Sequence, residues 1–197
     1  MTHKPIVFRD VSFILPERAC FTGLSLSVHH GQRIAIIGNN GAGKSSLLKM
    51  LTSHIEPSVG SIHVPDGVRF GYVPQLIQED MALSGGQTFN YFLSGVLHTM
   101  PNVLLLDEPT NHLDHKNRAS LVRMLTAFSH TLFVATHDED LLLRDFDVII
   151  HLDDGKARVF HGSYQDFKRK LSQDKTALMH KINELSKETK QAHRALM

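Results

Sequence analysis

The sequence has few of the features expected of a secreted or membrane protein. It holds a single cysteine, Cys20, among 197 residues, so no internal disulfide can form, and we expect a reducing compartment and a small core side chain. No apolar run approaches the roughly 18 residues that span a bilayer. The residues before the first expected strand, Met1 to Lys4, show no secretory signal pattern. We therefore expect a cytoplasmic protein without a membrane span, which excludes a complete transporter.

The sequence also lacks an obvious metal-binding cluster. It contains 14 histidines, but neither His29-His30 nor the pair His112 and His115 stands near cysteines or acids at the spacing of a metal site. We expect these histidines to lie at the surface and in loops.

Charge is nearly balanced, with a formal net charge of +1, but it is unevenly distributed. Residues 163–197 contain eight Lys and Arg against four acids, a net charge of +4, which leaves −3 for residues 1–162. We predict a globular domain over 1–162 and a basic helical linker or arm over 163–197. A seven-residue repeat predicts that this helix packs on another helix, and a solvated basic helix is the alternative. The repeat consists of Leu171, Leu178, Leu185 and Ala192, with Ile182, Thr189 and Leu196 beside it.

A glycine-rich segment follows the apolar run 33–37 and predicts a phosphate-binding loop. Its glycines allow backbone N–H groups to converge on closely spaced phosphate oxygens. Lys44 can reach the β- and γ-phosphates, and the Ser45 hydroxyl can bind magnesium at the start of a helix whose dipole favours anions. The candidate nucleotide-binding residues are Gly38, Asn39, Asn40, Gly41, Ala42, Gly43, Lys44, Ser45 and Ser46.

A second strand end supplies two acids. The apolar run 103–106 predicts a strand buried on both faces, and it ends in Asp107 and Glu108. We expect Asp107 to hold magnesium and Glu108 to accept a proton from the attacking water. The alternative is a pair of acids at a helix N-terminus. Pro109 and an expected helix start near Asp114 argue against that alternative.

Five motifs in order give the chain a resemblance to the ATP-binding-cassette (ABC) ATPases. The other three are Gln75 after the strand 68–73, the signature Leu83-Ser84-Gly85-Gly86-Gln87, and His137 after the strand 131–136. The resemblance implies ATP and Mg²⁺ as cofactors, with Gln75 sensing magnesium and water and His137 contacting the γ-phosphate. It also implies that Ser84, Gly85 and Gly86, with Gln87, bind the nucleotide held by a second cassette. Hydrolysis would then need a homodimer or a tandem half.

Two segments narrow the resemblance to the ABC-F proteins, a soluble, ribosome-associated branch. They are Glu108–Asp114 and Gly162–Phe167, the latter resembling the passage into an ABC-F linker. The implied function is ATP-dependent action on the ribosome, as a translation factor or an antibiotic-resistance protein, with the basic arm against ribosomal RNA. The chain would be the N-terminal half of a tandem protein or a truncated copy. The alternatives are a transporter's nucleotide-binding subunit and a cassette with little turnover that serves as an interaction module.

The chain departs from the family pattern in two places that matter for function. Only residues 76–83 separate Gln75 from Ser84, where relatives carry a helical subdomain. The apparent deletion counts against transport and leaves open whether Ser84 reaches a partner's nucleotide. Leu15 stands where many relatives stack a tyrosine on adenine, and Phe13 or Phe21 could take its place.

The resulting fold prediction is an α/β P-loop NTPase of the ABC type, with a mainly parallel core sheet, an antiparallel flank and a C-terminal basic helix. The flank comprises strands 6–13 and 24–28, the core comprises 33–37, 103–106 and 131–135, and strands 147–152 and 156–160 form a hairpin. Helices are expected over 44–52, 86–99, 114–128 and 139–144. The third of these should turn Leu121, Val122, Leu125 and Phe128 inward and His115, Lys116, Arg118 and Arg123 outward.

Overall fold

The computed structural model describes residues 3–75, 85–111 and 113–195. The chain divides into two compact units, residues 1–163 and residues 164–197. The assignment of an ATP-binding domain to 1–162 and a linker or arm to 163–197 stays a prediction, because compactness alone assigns no role.

The described elements follow one another in the order that the apolar runs predicted, with one additional strand. In chain order they are β1 (Ile6–Leu15), β2 (Arg18–Val28), β3 (Arg33–Gly38), α1 (Lys44–Leu51), β4 (Val59–His63), β5 (Phe70–Val73), α2 (Gly85–His98), β6 (Val103–Asp107), α3 (His115–Ala127), β7 (Thr131–Ala135), α4 (Glu139–Leu142), β8 (Val148–Asp153), β9 (Lys156–His161) and α5 (Tyr164–Ala195).

The larger sheet has six strands in the order β5-β6-β7-β3-β8-β9. The first five are parallel, and β9 pairs antiparallel with β8 as the predicted hairpin. Every residue of β6 and β7 is buried, which is why these strands read as continuous apolar runs. Because the strands are parallel, the carboxyl ends of β3, β6 and β7 meet at one edge of the sheet.

The smaller sheet is antiparallel and has the order β2-β1-β4. Strands β1 and β2 confirm the predicted flank and extend beyond its predicted bounds. The edge strand β4 was not predicted, since four of its five residues are exposed and it therefore shows no apolar face.

One buried cluster joins both sheets through α1. It contains large side chains from the small sheet, from α1 and from the large sheet, among them Phe8, Phe21, Leu47, Leu51, Ile36 and Phe133. Cys20 belongs to the same cluster and is a free thiol, in agreement with the expected small core residue. The helix that begins at the glycine-rich loop is thus fixed between two sheets.

The prediction for the faces of α3 was right for most residues and wrong for one. Leu121 and Leu125 are buried, and Val122 and Phe128 are half-buried. Arg118, predicted to point outward, is half-buried and pairs with acids at the start of α4.

The basic helix α5 begins with an aromatic pair, in which the rings of Tyr164 and Phe167 stack with centroids 6.1 Å apart. Met179 and Ile182 are exposed. The predicted seam stays a prediction, because the side chains of Leu178, Leu185 and Ala192 lie outside the described residues. None of the described helices is both long enough and apolar enough to cross a membrane.

Three histidines form a contact chain beside the amino ends of β3 and β7. The rings of His3 and His30 are 5.1 Å apart, and those of His30 and His130 are 5.4 Å apart. His3 lies in a loop, as expected, but it is buried and its Nε2 lies 2.7 Å from Thr131 Oγ1, so the expectation of a surface position was wrong for this histidine. No group of three or more His, Cys, Asp or Glu in the described ranges is arranged to hold a metal ion.

This cluster predicts loss of stability in mild acid. Burial, followed by the charges of His3 and His130, lowers the pKa of His30 from its ordinary 6.5. A histidine with a lowered pKa binds a proton less readily in the folded state than in the unfolded state. Its contribution to the free energy of unfolding is therefore complete above about pH 6.5 and decreases as the pH falls below that value. We expect the urea midpoint to fall between about pH 7.5 and about pH 5.5, and His30→Gln to reduce that fall. His29→Gln changes an exposed neighbour and should leave the fall intact. An identical pH dependence in wild type and His30→Gln would contradict this prediction.

Candidate functional site

The glycine-rich loop joins the end of β3 to the start of α1. Gly43 has a φ of +98°, and a Cβ placed there would lie 3.0 Å from the Phe21 ring. Gly38 packs so closely on the Leu152 carbonyl that a side chain would collide with it. These two contacts explain why the loop needs glycine, and they leave the first-turn N–H groups of α1, which have no intrahelical acceptor, at the mouth of the loop.

Lys44 is buried and folded back into the loop that carries it. Its Nζ donates to the Gly38 carbonyl at 2.9 Å and to the Asn39 carbonyl at 3.4 Å. It also lies 3.5 Å from Glu108 Oε1. The structure therefore brings the lysine of the loop and the second acid of the pair into direct contact.

Glu108 adopts a left-handed backbone conformation, with φ at +48°. A residue other than glycine or asparagine is strained there by about 1–3 kcal/mol. Its N–H donates to the Ala135 carbonyl at 2.8 Å, which ties the turn to the end of β7. On the other side of the carboxylate, His137 Nδ1 lies 2.9 Å from Oε2, without ordinary hydrogen-bond geometry. This contact becomes an ion pair when His137 is protonated.

Asp107 is the most buried acid of the site, with 3% of its surface exposed. Burial raises the pKa of this carboxyl, while a hydrogen bond from Ser45 and the charge of Lys44 oppose the rise. Its Oδ1 is a buried atom without a hydrogen-bond partner among the residues described. A buried carboxylate oxygen in that condition is stabilised by a cation.

These residues fit a magnesium ion. Mg²⁺ prefers oxygen ligands and is commonly held by one carboxylate, one hydroxyl and the phosphates of a nucleotide. Asp107 and the Ser45 hydroxyl supply the first two and already contact each other. The third predicted ligand, Gln75, lies at the rim of the same pocket.

One pocket of about 400 Å³ is lined by most of the predicted residues, but not by Gly38, Asn39, Ala42 or Asp107. The predicted residues that line it are Asn40, Gly41, Gly43, Lys44, Ser45 and Ser46, together with Gln75, Glu108 and His137. Phe13 and Leu15 also line the pocket and are available to contact a base. Phe21 was wrong as a candidate for stacking, because it is fully buried beneath the loop.

The signature segment does not line this pocket within the described residues. Gly85, Gly86 and Gln87 form the first turn of α2, and Leu83 and Ser84 lie outside the residues described. Gly86 packs so tightly on the Asn117 side chain of α3 that a Cβ would collide with it. Asn90 donates to the same side chain at 3.1 Å, so α2 and α3 are joined at their amino ends.

An ionic network of Arg118, Asp138 and Asp140 fixes the backbone next to His137. Asp138 follows it and caps α4 by accepting from the N–H groups of Asp140 and Leu141. Arg118 donates to the carboxylates of both Asp138 and Asp140. The network therefore fixes α4 to α3, and with it the backbone that presents His137.

Sequence reasoning missed three residues that the pocket brings in. Arg18 lines it and donates to the Gly41 carbonyl at 3.0 Å, and Asn111 and Cys20 also face it. No signal in the sequence pointed to Arg18 or Cys20. Asn111 could have been found, because it lies in the loop directly after the acidic pair.

Two family models match consecutive parts of the chain. The model described as "ABC transporter" matches residues 21–75, and the one described as "AAA domain, putative AbiEii toxin, Type IV TA system" matches residues 75–144. The two matches meet at Gln75, and between them they contain the glycine-rich loop, both acids and His137.

Curated relatives resemble most of the chain. "Probable ATP-binding protein YheS" of Escherichia coli (strain K12) is 29% identical over 79% of this chain and 31% of its own length. "ABC transporter F family member 3" of Arabidopsis thaliana is 30% identical over 85% and 29%, respectively. "Erythromycin resistance ATP-binding protein MsrA" of Staphylococcus epidermidis is 28% identical over 88% and 40%. The chain thus spans between 29% and 40% of the length of these relatives.

Solved structures share the fold. "An inward-facing conformation of a putative metal-chelate type ABC transporter" matches with a TM-score of 0.71 and 21% identity, over 80% of this chain and 83% of that one. A bacterial Atm1-family ABC exporter with ATP bound matches with a TM-score of 0.73 and 24% identity, over 85% and 40%. The predicted α/β P-loop NTPase fold of the ABC type is confirmed.

The network behind His137 makes a prediction about stability. Arg118→Leu leaves the largely buried Asp138 carboxylate without its counter-charge and should lower the free energy of unfolding by about 1–3 kcal/mol. Arg123→Leu, on an exposed position of the same helix, should change it by less than about 0.5 kcal/mol. Urea unfolding at neutral pH measures both. Equal effects of the two substitutions would show that the network does not hold α4.

Proposed function

Because the chain is an ATP-binding-cassette domain and has ABC-F proteins among its relatives, we propose that it binds ATP with magnesium and hydrolyses it as one half of a two-cassette site. The observation that carries this proposal is the approach of Lys44 Nζ to Glu108 Oε1, 3.5 Å, beside a pocket wide enough for a nucleotide. It joins a phosphate-binding cation and a candidate base at one place.

The proposed roles follow from the chemistry of each side chain. Lys44 and the N–H groups of the loop bind the phosphates, and Ser45, Asp107 and Gln75 bind the metal. Bound magnesium would supply charge neutralisation at the phosphates. Glu108 accepts the proton of the attacking water.

The contacts of Lys44 suggest how Glu108 becomes available as a base. The Lys44 ammonium is shared by two loop carbonyls and the Glu108 carboxylate. Phosphate oxygens carry more charge than carbonyls and would draw Lys44 toward them. Glu108 would then keep His137 as a neighbour, and His137 would order the γ-phosphate end of the site.

A second cassette is part of the proposal because the described residues of the signature, Gly85, Gly86 and Gln87, do not line the pocket of their own chain. Gly85 and Gly86 begin α2, and a helix N-terminus binds anions through its unpaired N–H groups. In the proposed arrangement they bind the γ-phosphate of a nucleotide held by a second copy or a tandem half.

The biological target that we propose is the ribosome in the cytoplasm, as for the ABC-F proteins that the chain resembles. Support comes from the basic helix α5, on which Lys175 and Lys181 are exposed. Lysines on a solvated helix bind RNA phosphates by releasing counterions, which makes the affinity depend on salt.

Two substitutions test the ATP site. Lys44→Ala removes the cation that reaches the phosphates and should abolish measurable ATP binding. Glu108→Gln should retain ATP binding, lower the hydrolysis rate by about 10²- to 10⁴-fold and accumulate an ATP-bound dimer. Calorimetry, phosphate release and light scattering measure the three quantities.

The matched controls are Lys156→Ala, at an exposed lysine that does not line the pocket, and Glu56→Gln, at an exposed acid. Both should behave as wild type. An unchanged hydrolysis rate in Glu108→Gln would remove Glu108 from the role of base.

A second experiment tests the arm. Deleting residues 168–197, or replacing Lys175 and Lys181 by Gln, should weaken binding to ribosomes and to RNA without changing ATP affinity. Each lost phosphate contact should also reduce the slope of log affinity against log salt by about one. Asp174→Asn, which removes an exposed acid from the same helix, should not weaken binding. Equal RNA binding with and without the arm would refute its role.

A further inference from the structure

Tyr72 lies beside the metal-binding acid, although it does not line the nucleotide pocket. It belongs to β5 and pairs with Leu105 of β6, two residues before Asp107. Its ring packs against the main buried cluster. The strand that carries it ends two residues before Gln75.

Packing against the cluster accounts for the ring of Tyr72 but not for its buried hydroxyl. Among the described residues it has no hydrogen-bond partner of ordinary geometry although it is buried, and the same holds for Asp107 Oδ1. The two groups are nonetheless near each other, because Tyr72 pairs with Leu105 and Asp107 lies two residues further along the same face of β6. In agreement with this placement, burial and then the Asp107 carboxylate raise the pKa of Tyr72 to about 12. A phenylalanine would supply the same packing without an unsatisfied hydroxyl, so packing does not account for the oxygen.

A donor and an acceptor buried side by side complement each other. The tyrosine hydroxyl can donate one hydrogen, and an ionised carboxylate only accepts. Ser45 already contacts Asp107 from the side of the loop. A hydrogen bond from Tyr72 would hold the carboxylate from the side of β5, so that both of its flanks are fixed.

We propose that Tyr72 is a positioning residue, whose hydroxyl donates to Asp107 and holds that carboxylate in the orientation required by a magnesium-bound nucleotide. This inference rests on the proposed function of the site. It assigns to Tyr72 a role in metal affinity and none in phosphate binding. Groups that orient a metal ligand typically change metal affinity by about 10- to 100-fold when they are removed.

The test compares ATP affinity in the presence of Mg²⁺ and in the presence of EDTA. In Tyr72→Phe, the gain in ATP affinity on adding Mg²⁺ should fall by about tenfold. Affinity in EDTA should stay as in wild type, because the phosphate-binding loop is unchanged. The ring and its packing remain, so the melting temperature should fall by no more than the loss of one hydrogen bond predicts, about 2–4 °C. Tyr91→Phe removes a hydroxyl from an exposed position on α2 and serves as the matched control.

The outcomes separate this proposal from the proposed function. Tyr72→Phe that keeps the wild-type gain from Mg²⁺ would overturn the role of Tyr72 alone. Equal losses in Mg²⁺ and in EDTA with a lower melting temperature would also overturn it, since they indicate a structural role. A wild-type protein that binds no ATP under either condition would overturn the proposed function and this inference together.

Discussion

Three ionisable side chains withdrawn from water, Lys44, Asp107 and Glu108, form the constraint on which the rest of this structure depends. Each exposes less than a tenth of its surface. Burying charge is costly unless it is paired, and here one ammonium faces two carboxylates. This excess of negative charge favours an added cation at this edge of the large sheet. The N–H groups of the glycine-rich loop beside it favour an anion. The two preferences together suit a metal-bound phosphate.

Both sheets contribute to the positions of Lys44, Asp107 and Glu108. Parallel strands of the large sheet bring the acids and the backbone before His137 to one edge, because their carboxyl ends coincide. The small sheet supports the loop from below, where Phe21 of β2 packs under Gly43. Ionic contacts from Arg118 then fix the start of α4. The site therefore depends on packing and charge contributed by elements distant in sequence.

The sequence predicted the parts of this arrangement that depend on local pattern. The buried strands β3 and β6 are apolar runs in the sequence. The positions of Lys44 after β3 and of Asp107 at the end of β6 could therefore be predicted. The parts that were missed depend on tertiary packing. Phe13 and Phe21 are cross-strand partners in β1 and β2, and only tertiary packing decides that Phe13 lines the pocket while Phe21 lies against Gly43. The helical periodicity of α3 places Arg118 on a polar face, but it does not reveal that Arg118 forms ion pairs with acids at the start of α4.

The backbone of Glu108 has a consequence for how this domain responds to selection in the laboratory. Glycine adopts its left-handed conformation without strain, so Glu108→Gly would relax the turn while deleting the carboxylate. Under the role proposed for Glu108, screens for thermal stability would then enrich variants that lack the catalytic base. At this position, stability and the proposed ATP hydrolysis favour different residues. A library selected for stability would therefore have to be assayed for hydrolysis as well.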